Sequence, residues 1–192
     1  SHFYNQRSEG VMCIKERPWQ GLYADGITTL DYERGKASSI LKEPWQTDDS
    51  IGSWGYKAGS PYMTPDLVID KLIDIVSKNG NMLLNIPIKA DGTIDREATA
   101  LLKNIGKWFE INGEAIYGTR PWYMHGEGHN EIGHKDLESP MGSRDFRYTT
   151  KGDKLYAFVL GWPNAKRKPV VFPNLVKTNT RIGEITHVEL LG

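Results

Sequence analysis

The side chains here most able to do chemistry are Glu33, Arg17, Trp54 and three histidines, His125, His129 and His134. Glu33 lies in Asp31-Tyr32-Glu33-Arg34-Gly35 and can give or take a proton where its surroundings tune it. On residue type alone it reads as a loop carboxylate paired with Arg34 or Arg17. Arg17 carries a permanent charge, and its plainest use is a salt bridge with Glu16 or Glu33. His125 and His129 have the i,i+4 spacing of a helical zinc pair, but Gly126 and Gly128 between them argue against a helix. With no Glu-containing zinc-protease pattern beside them, a solvated loop is the better reading of all three histidines. There is no phosphate-cradling glycine loop and no nucleophile elbow, so dehydrogenase, kinase and α/β-hydrolase readings have no support.

The totals narrow the classes further. Lys+Arg 24 against Asp+Glu 24 leaves no net charge, so nothing draws the chain to nucleic acid or an anionic membrane. No apolar run approaches the roughly 20 residues that span a bilayer, and no signal-like segment opens the chain. Cys13 is the only cysteine, which excludes an internal disulfide and a thiolate metal cluster. Hydrophobic residues at 39% and charged residues at 25% are ordinary for a folded protein. Six Trp and nine Tyr are a generous supply, of the kind that lines sugar clefts as well as cores.

The elements that must position these residues follow from periodicity and punctuation. Residues 1–7 read as the end of a helix, as if the chain began inside a fold. Val11-Met12-Cys13-Ile14 is a short apolar run suited to a buried strand, ended near Arg17 because Pro18 cannot donate to a sheet. Residues 19–35 look irregular, with turn points at Gly21, Gly26 and Gly35. Residues 51–56 predict a second strand. Thr64 as N-cap, Pro65 at the first helical position and Asp66 near the positive end open a helix. Leu67, Val68, Leu72, Ile75 and Val76 form its apolar face, and Gly80 is its expected left-handed cap. Residues 82–86 are a third strand, and Asp95 caps a second helix with Ala98, Leu101, Ile105 and Phe109 on its buried face. This β/α alternation with short joints predicts a parallel sheet. After Trp122 the pattern changes to short strand-like runs at 146–150, 155–160, 170–172 and 182–191. Lys151-Gly152-Asp153 is a hairpin turn between the first two.

Several of these segments together resemble glycoside hydrolase family 29, the α-L-fucosidases. Asp31-Tyr32-Glu33-Arg34-Gly35, Pro44-Trp45-Gln46-Thr47-Asp48 and Ser53-Trp54-Gly55-Tyr56 match a bacterial-type branch in order and spacing. Val76-Ser77-Lys78-Asn79-Gly80-Asn81 running into Leu83-Leu84-Asn85 is similar to the family's last barrel strand and its lead-in. Gly113-Glu114-Ala115-Ile116-Tyr117 resembles the helix exit that closes the barrel. The match is strong over residues 1–122, and beyond them only a generic C-terminal β-sandwich is similar.

The resemblance implies an α/β fold: the last strands and helices of a (β/α)8-like barrel over 1–122, followed by a partial antiparallel β-sandwich over 123–192. It implies a retaining exo-glycosidase that releases terminal α-L-fucose from glycans, with no cofactor and no metal. The substrate partner would be a fucosylated glycan, and the family's usual settings are periplasmic, secreted or lysosomal. Glu33 would be the acid/base residue, Arg17 would hydrogen-bond the fucose, and Trp54 would pack on its apolar face and methyl group. Some relatives place the acid/base residue in a Trp-Glu pair that corresponds here to Trp45-Gln46, and Gln46 cannot donate as a carboxylic acid does. The family's nucleophilic aspartate falls upstream of Ser1. Asp25, the superficial candidate, follows the wrong strand. These 192 residues alone are therefore expected to be inactive. The competing reading is a non-catalytic carbohydrate-binding or scaffold segment derived from a glycosidase.

Overall fold

The computed structural model describes residues 2–15, 27–128, 141–163 and 169–191. A short helix, α1 (His2–Gln6), leads into β1 (Cys13–Lys15), β2 (Thr29–Glu33) and β3 (Trp45–Ser50). Then come α2 (Pro65–Ser77), β4 (Gly80–Asn85) and α3 (Arg96–Asn112), which runs into a 3-10 turn over Gly113–Ala115. The four strands form one parallel sheet in the order β1-β2-β3-β4. A second, antiparallel sheet follows in the order β5 (Arg120–Glu127), β6 (Phe146–Lys151), β7 (Lys154–Val159).

Both longer helices begin as their caps dictate. Thr64 accepts a hydrogen bond from the Leu67 amide at 3.2 Å with Pro65 following it, and Asp95 accepts from the Ala98 amide at 2.8 Å. The end of α2 differs from expectation. Asn79 (φ 71°), not Gly80, is the left-handed residue, and its amide nitrogen donates to the Leu41 and Lys42 carbonyls. Gly80 opens β4, and it is required for space. A Cβ there would lie 2.5 Å from two atoms of the Trp45 ring and 2.7 Å from Ile75 Cγ2. Gly80→Ala is therefore expected to cost about 1–3 kcal/mol through overpacking. The effect should appear as a lower urea midpoint with an unchanged slope.

The middle strands correct the sequence reading. The second strand of the expected set is Trp45–Ser50, and residues 51–56 form the turn beyond it. Thr29–Glu33, inside the stretch that looked irregular, is a further strand. Alternation explains both. Trp45, Thr47 and Asp49 are buried on one face while Gln46 and Asp48 occupy the other. Trp45 is fully buried against Ala37 and Ile75, with Leu30, Tyr32 and Met82 around it, and its indole N–H donates to the Lys78 carbonyl at 2.8 Å. Val68 of α2 joins Ala98 and Leu101 of α3 over Met82 and Leu84, so both helices cover the same face of the sheet.

The antiparallel sheet packs on the far side of α2. Ile69 and Ile73 meet Ile116, Met141 and Leu160, and the Thr149 hydroxyl donates to the Ala115 carbonyl. Gly152 (φ 60°) makes the predicted hairpin turn. Among the described residues, 170–172 and 182–191 form no strand, whereas β5 lies ahead of the first run expected there. Asp70 of α2 faces this junction. Burial first, then the neighbouring Asp66, pushes its carboxyl up from 3.8 to about 7, against the pull of Arg147. A carboxyl protonated more readily in the folded state stabilises fully below its unfolded value. That contribution fades as pH rises through its folded value. Stability should thus fall between about pH 4 and pH 7 on this account, and Asp70→Asn should flatten that slope in urea melts taken across the window.

Candidate active site at the carboxyl ends of the parallel strands

The face of the parallel sheet turned away from α2 and α3 is mainly polar, with Leu83 exposed on it. Alternation places Asp31 and Glu33 of β2, Gln46 and Asp48 of β3, and Asn85 of β4 on it. Lys15 of β1 reaches across this face, pairing with Asp31 at 3.0 Å and hydrogen-bonding Asp48. Burial alone would lower the Lys15 ammonium, but its bonds to the two aspartates prevail and raise it. It stays a cation between two anions.

Glu33 is the last residue of β2, exposed, and in cross-strand register with Asp48. The backbone around it is fixed from β3. The Thr47 hydroxyl hydrogen-bonds the Tyr32 carbonyl at 2.8 Å and the Gly35 carbonyl at 2.7 Å, and the Arg34 amide donates to the Asp48 carbonyl at 2.9 Å. A carboxylate at the open end of a strand, on a backbone held from both sides, is a suitable proton carrier. Its expected ion pair with Arg34 does not form: among the described residues Arg34 pairs with Asp49 instead.

Trp54 stands in the turn after β3, 41% exposed. That turn is tied to the strand ends. Asn85 donates to the Trp54 carbonyl at 3.0 Å and to the Ser50 hydroxyl at 2.9 Å, and Ser50 donates to the Ser53 carbonyl at 2.9 Å. Asn85 therefore holds the turn. The Arg34 guanidinium lies 4.6 Å from the centre of the Trp54 ring. Arg34, the chain neighbour of Glu33, thus reaches the Trp54 ring with its side chain.

Arg17 and Asp25 lie outside the described residues, as do His129 and His134. His125 is described, on β5, in the antiparallel sheet and not beside Glu33. Among the described residues no group of three or more His, Cys, Asp or Glu could hold a metal, and no helix is long and apolar enough to cross a membrane. Reading residues singly missed Lys15, Asp31, Asp48 and Arg34. The signal for the carboxylates was the period of two through Asp31-Tyr32-Glu33 and Gln46-Thr47-Asp48.

The family model for α-L-fucosidase matches residues 1–114, which include the strand end that carries Glu33 and the turn that carries Trp54. The chain belongs to the α-L-fucosidase family. It is 31% identical to plasma α-L-fucosidase of Pongo abelii over 98% of this chain and 40% of that protein. It is 36% identical to human tissue α-L-fucosidase over 68% of this chain and 26% of that protein. Among solved structures, Thermotoga maritima α-fucosidase in complex with fucose superposes with a TM-score of 0.61 at 27% identity, over 81% of this chain and 32% of that one. The chain therefore spans well under half the length of these fucosidases. Its mixed architecture, with one parallel and one antiparallel sheet, agrees with the fucosidase fold over the part that aligns.

Proposed function

We propose that this chain carries the acid/base half of a retaining α-L-fucosidase site that releases terminal fucose from glycans. The single observation behind this reading is the position of Glu33. It is a solvent-facing carboxyl at the carboxyl end of a parallel strand, on the polar face of the sheet, in a chain of the fucosidase family. In this reading β1 to β4 are late strands of a (β/α)8-like barrel over residues 1–122, and 123–192 belong to a β-sandwich. Barrel sites gather at the carboxyl ends of the strands, which is where Glu33, the Trp54 turn and Asn85 stand.

The chemistry then divides between two carboxyl groups roughly 5–5.5 Å apart. As a carboxylate nucleophile from another strand attacks C1 of the fucose, Glu33 gives its proton to the glycosidic oxygen and the aglycone leaves as an alcohol. In the second step Glu33, now a carboxylate, takes a proton from water as that water displaces the enzyme carboxylate. Fucose departs with its configuration retained and Glu33 is protonated again. Trp54 packs on the apolar face and methyl group of the sugar, and Arg17 hydrogen-bonds its hydroxyls. The fixed charge of Arg17 would also keep a neighbouring nucleophile ionised.

The test is hydrolysis of 4-nitrophenyl α-L-fucoside by the product of the complete reading frame, beside the corresponding β-galactoside and α-glucoside. Release from the fucoside alone is expected, and turnover of the other glycosides in its place would overturn the assignment. Trp54→Ala should raise KM about 10-fold, the worth of one or two buried methyl-sized groups, with a smaller change in kcat.

A further inference from the structure

We infer that Arg34 is a positioning residue that sets Trp54 against the sugar and ties that contact to the strand end bearing Glu33; this rests on the fucosidase reading of Glu33 and Trp54. Two non-glycine residues among those described have positive φ, Asn79 (71°) and Arg34 (50°). Asn79 is a helix cap whose side chain bonds nearby carbonyls. Arg34 has no capping role. A long side chain in the left-handed region is disfavoured and persists where its surroundings hold it.

What holds it is a set of contacts at the Trp54 turn. One guanidinium nitrogen donates to the Gly52 carbonyl at 2.7 Å, another lies 3.6 Å from Asp49, and the guanidinium carbon lies over the Trp54 ring. Asp49 is itself fixed, buried and bonded by the Lys71 ammonium of α2 at 2.5 Å, with the Ser50 amide donating to its other oxygen at 2.7 Å. The order of support runs from α2 through Lys71 and Asp49 to Arg34, and from Arg34 to the aromatic ring. Reversing the chain directly after Glu33 is what turns the Arg34 side chain toward Trp54, so the unusual backbone and the stacking are one feature.

The test uses the complete protein and 4-nitrophenyl α-L-fucoside. Arg34→Gly suits the positive φ and removes only the side chain, so the variant should fold and melt near the parent. Its KM should rise about 10-fold, matching Trp54→Ala, with little change in kcat. The double variant Arg34→Gly/Trp54→Ala should be no worse than Trp54→Ala alone, because both changes remove one interaction. Arg34→Lys keeps the charge near Asp49 but loses the planar fork, and it too should raise KM. Additive KM effects, or parental KM in both Arg34 variants while Trp54→Ala is impaired, would overturn the role of Arg34 and leave the fucosidase reading intact. A lowered melting temperature with parental KM would mark Arg34 as merely structural, which also overturns it. Unchanged KM in Trp54→Ala would remove the sugar platform and this inference together.

Discussion

Glu33→Gln in the complete protein is expected to lower kcat on fucosylated glycans by about 10²–10⁴-fold, the usual worth of a positioned general acid/base. Glutamine has nearly the same shape, so binding should survive. What is lost is the proton given to the leaving oxygen and the base that activates water. The two losses separate by substrate. 4-Nitrophenol leaves as a stable anion and needs little protonation, so the first step on the aryl fucoside should be slowed much less than on a glycan. The second step is the same for both substrates and should then limit turnover of the aryl fucoside, with a burst of 4-nitrophenol before the steady state. Equal slowing of both substrates with no burst would indicate a structural effect at the end of β2 (Thr29–Glu33).

The second large effect is expected at Asp74, which has no part in the chemistry. Its fully buried carboxylate receives the Arg147 Nε at 2.7 Å and the Lys78 ammonium at 2.9 Å, with Lys36 at 3.3 Å. All three cations are buried as well. Burial acts to raise the Asp74 carboxyl, but Lys36, Lys78 and Arg147 outweigh it and hold it below its usual range. Lys36 is pushed the other way: burial lowers its ammonium to about 8, against the pull of Asp74. Removing the Asp74 carboxylate would take this shared counter-charge from three buried cations. Asp74→Ala should therefore cost about 3–5 kcal/mol, as for other buried pairs broken from one side. At roughly 2–4 °C per kcal/mol for a chain of this size, melting should fall by about 10 °C. Arg147 belongs to β6 (Phe146–Lys151) and Asp74 to α2 (Pro65–Ser77), so the loss also loosens the antiparallel sheet from the helix. Proteolysis should then cut the segment between the two sheets first. A loss below 1 kcal/mol would mean that the cations are already neutralised by other groups.

The helices were legible because their local signals were complete. Thr64-Pro65-Asp66 and Asp95 stop the backbone in one place each, and the apolar faces that follow have a period close to 3.6. The parallel strands were legible only where apolar residues ran together, as in Met82-Leu83-Leu84. Thr29–Glu33 and Trp45–Ser50 were hidden because one of their faces is polar, and that face carries the proposed site. Their burial depends on Trp45 meeting Gly80 and Ile75, contacts between distant parts of the chain that no local window contains. The end of β5 (Arg120–Glu127) was obscured for a similar reason. Gly126 looked like a loop residue, yet it is glycine because the Phe146 carbonyl and the Arg147 side chain approach its Cα from the neighbouring strand. Glu33 and Trp54 are proposed from resemblance, and the contact of Arg34 with Trp54 depends on a backbone angle that residue type does not reveal.

In the proposed mechanism Glu33 moves the proton and does not attack the sugar. The product formed when Glu33→Ala is given 4-nitrophenyl α-L-fucoside and azide distinguishes these two roles. The truncation opens space, and the fucosyl-enzyme formed in the first step can be attacked by azide without help from a base. Two displacements at C1 restore the starting configuration. The predicted result is therefore accelerated release of 4-nitrophenol with α-L-fucosyl azide as the product, identified by NMR. β-L-Fucosyl azide would mean a single displacement and would make Glu33 the nucleophile, and parental turnover with no azide product would remove Glu33 from the reaction altogether.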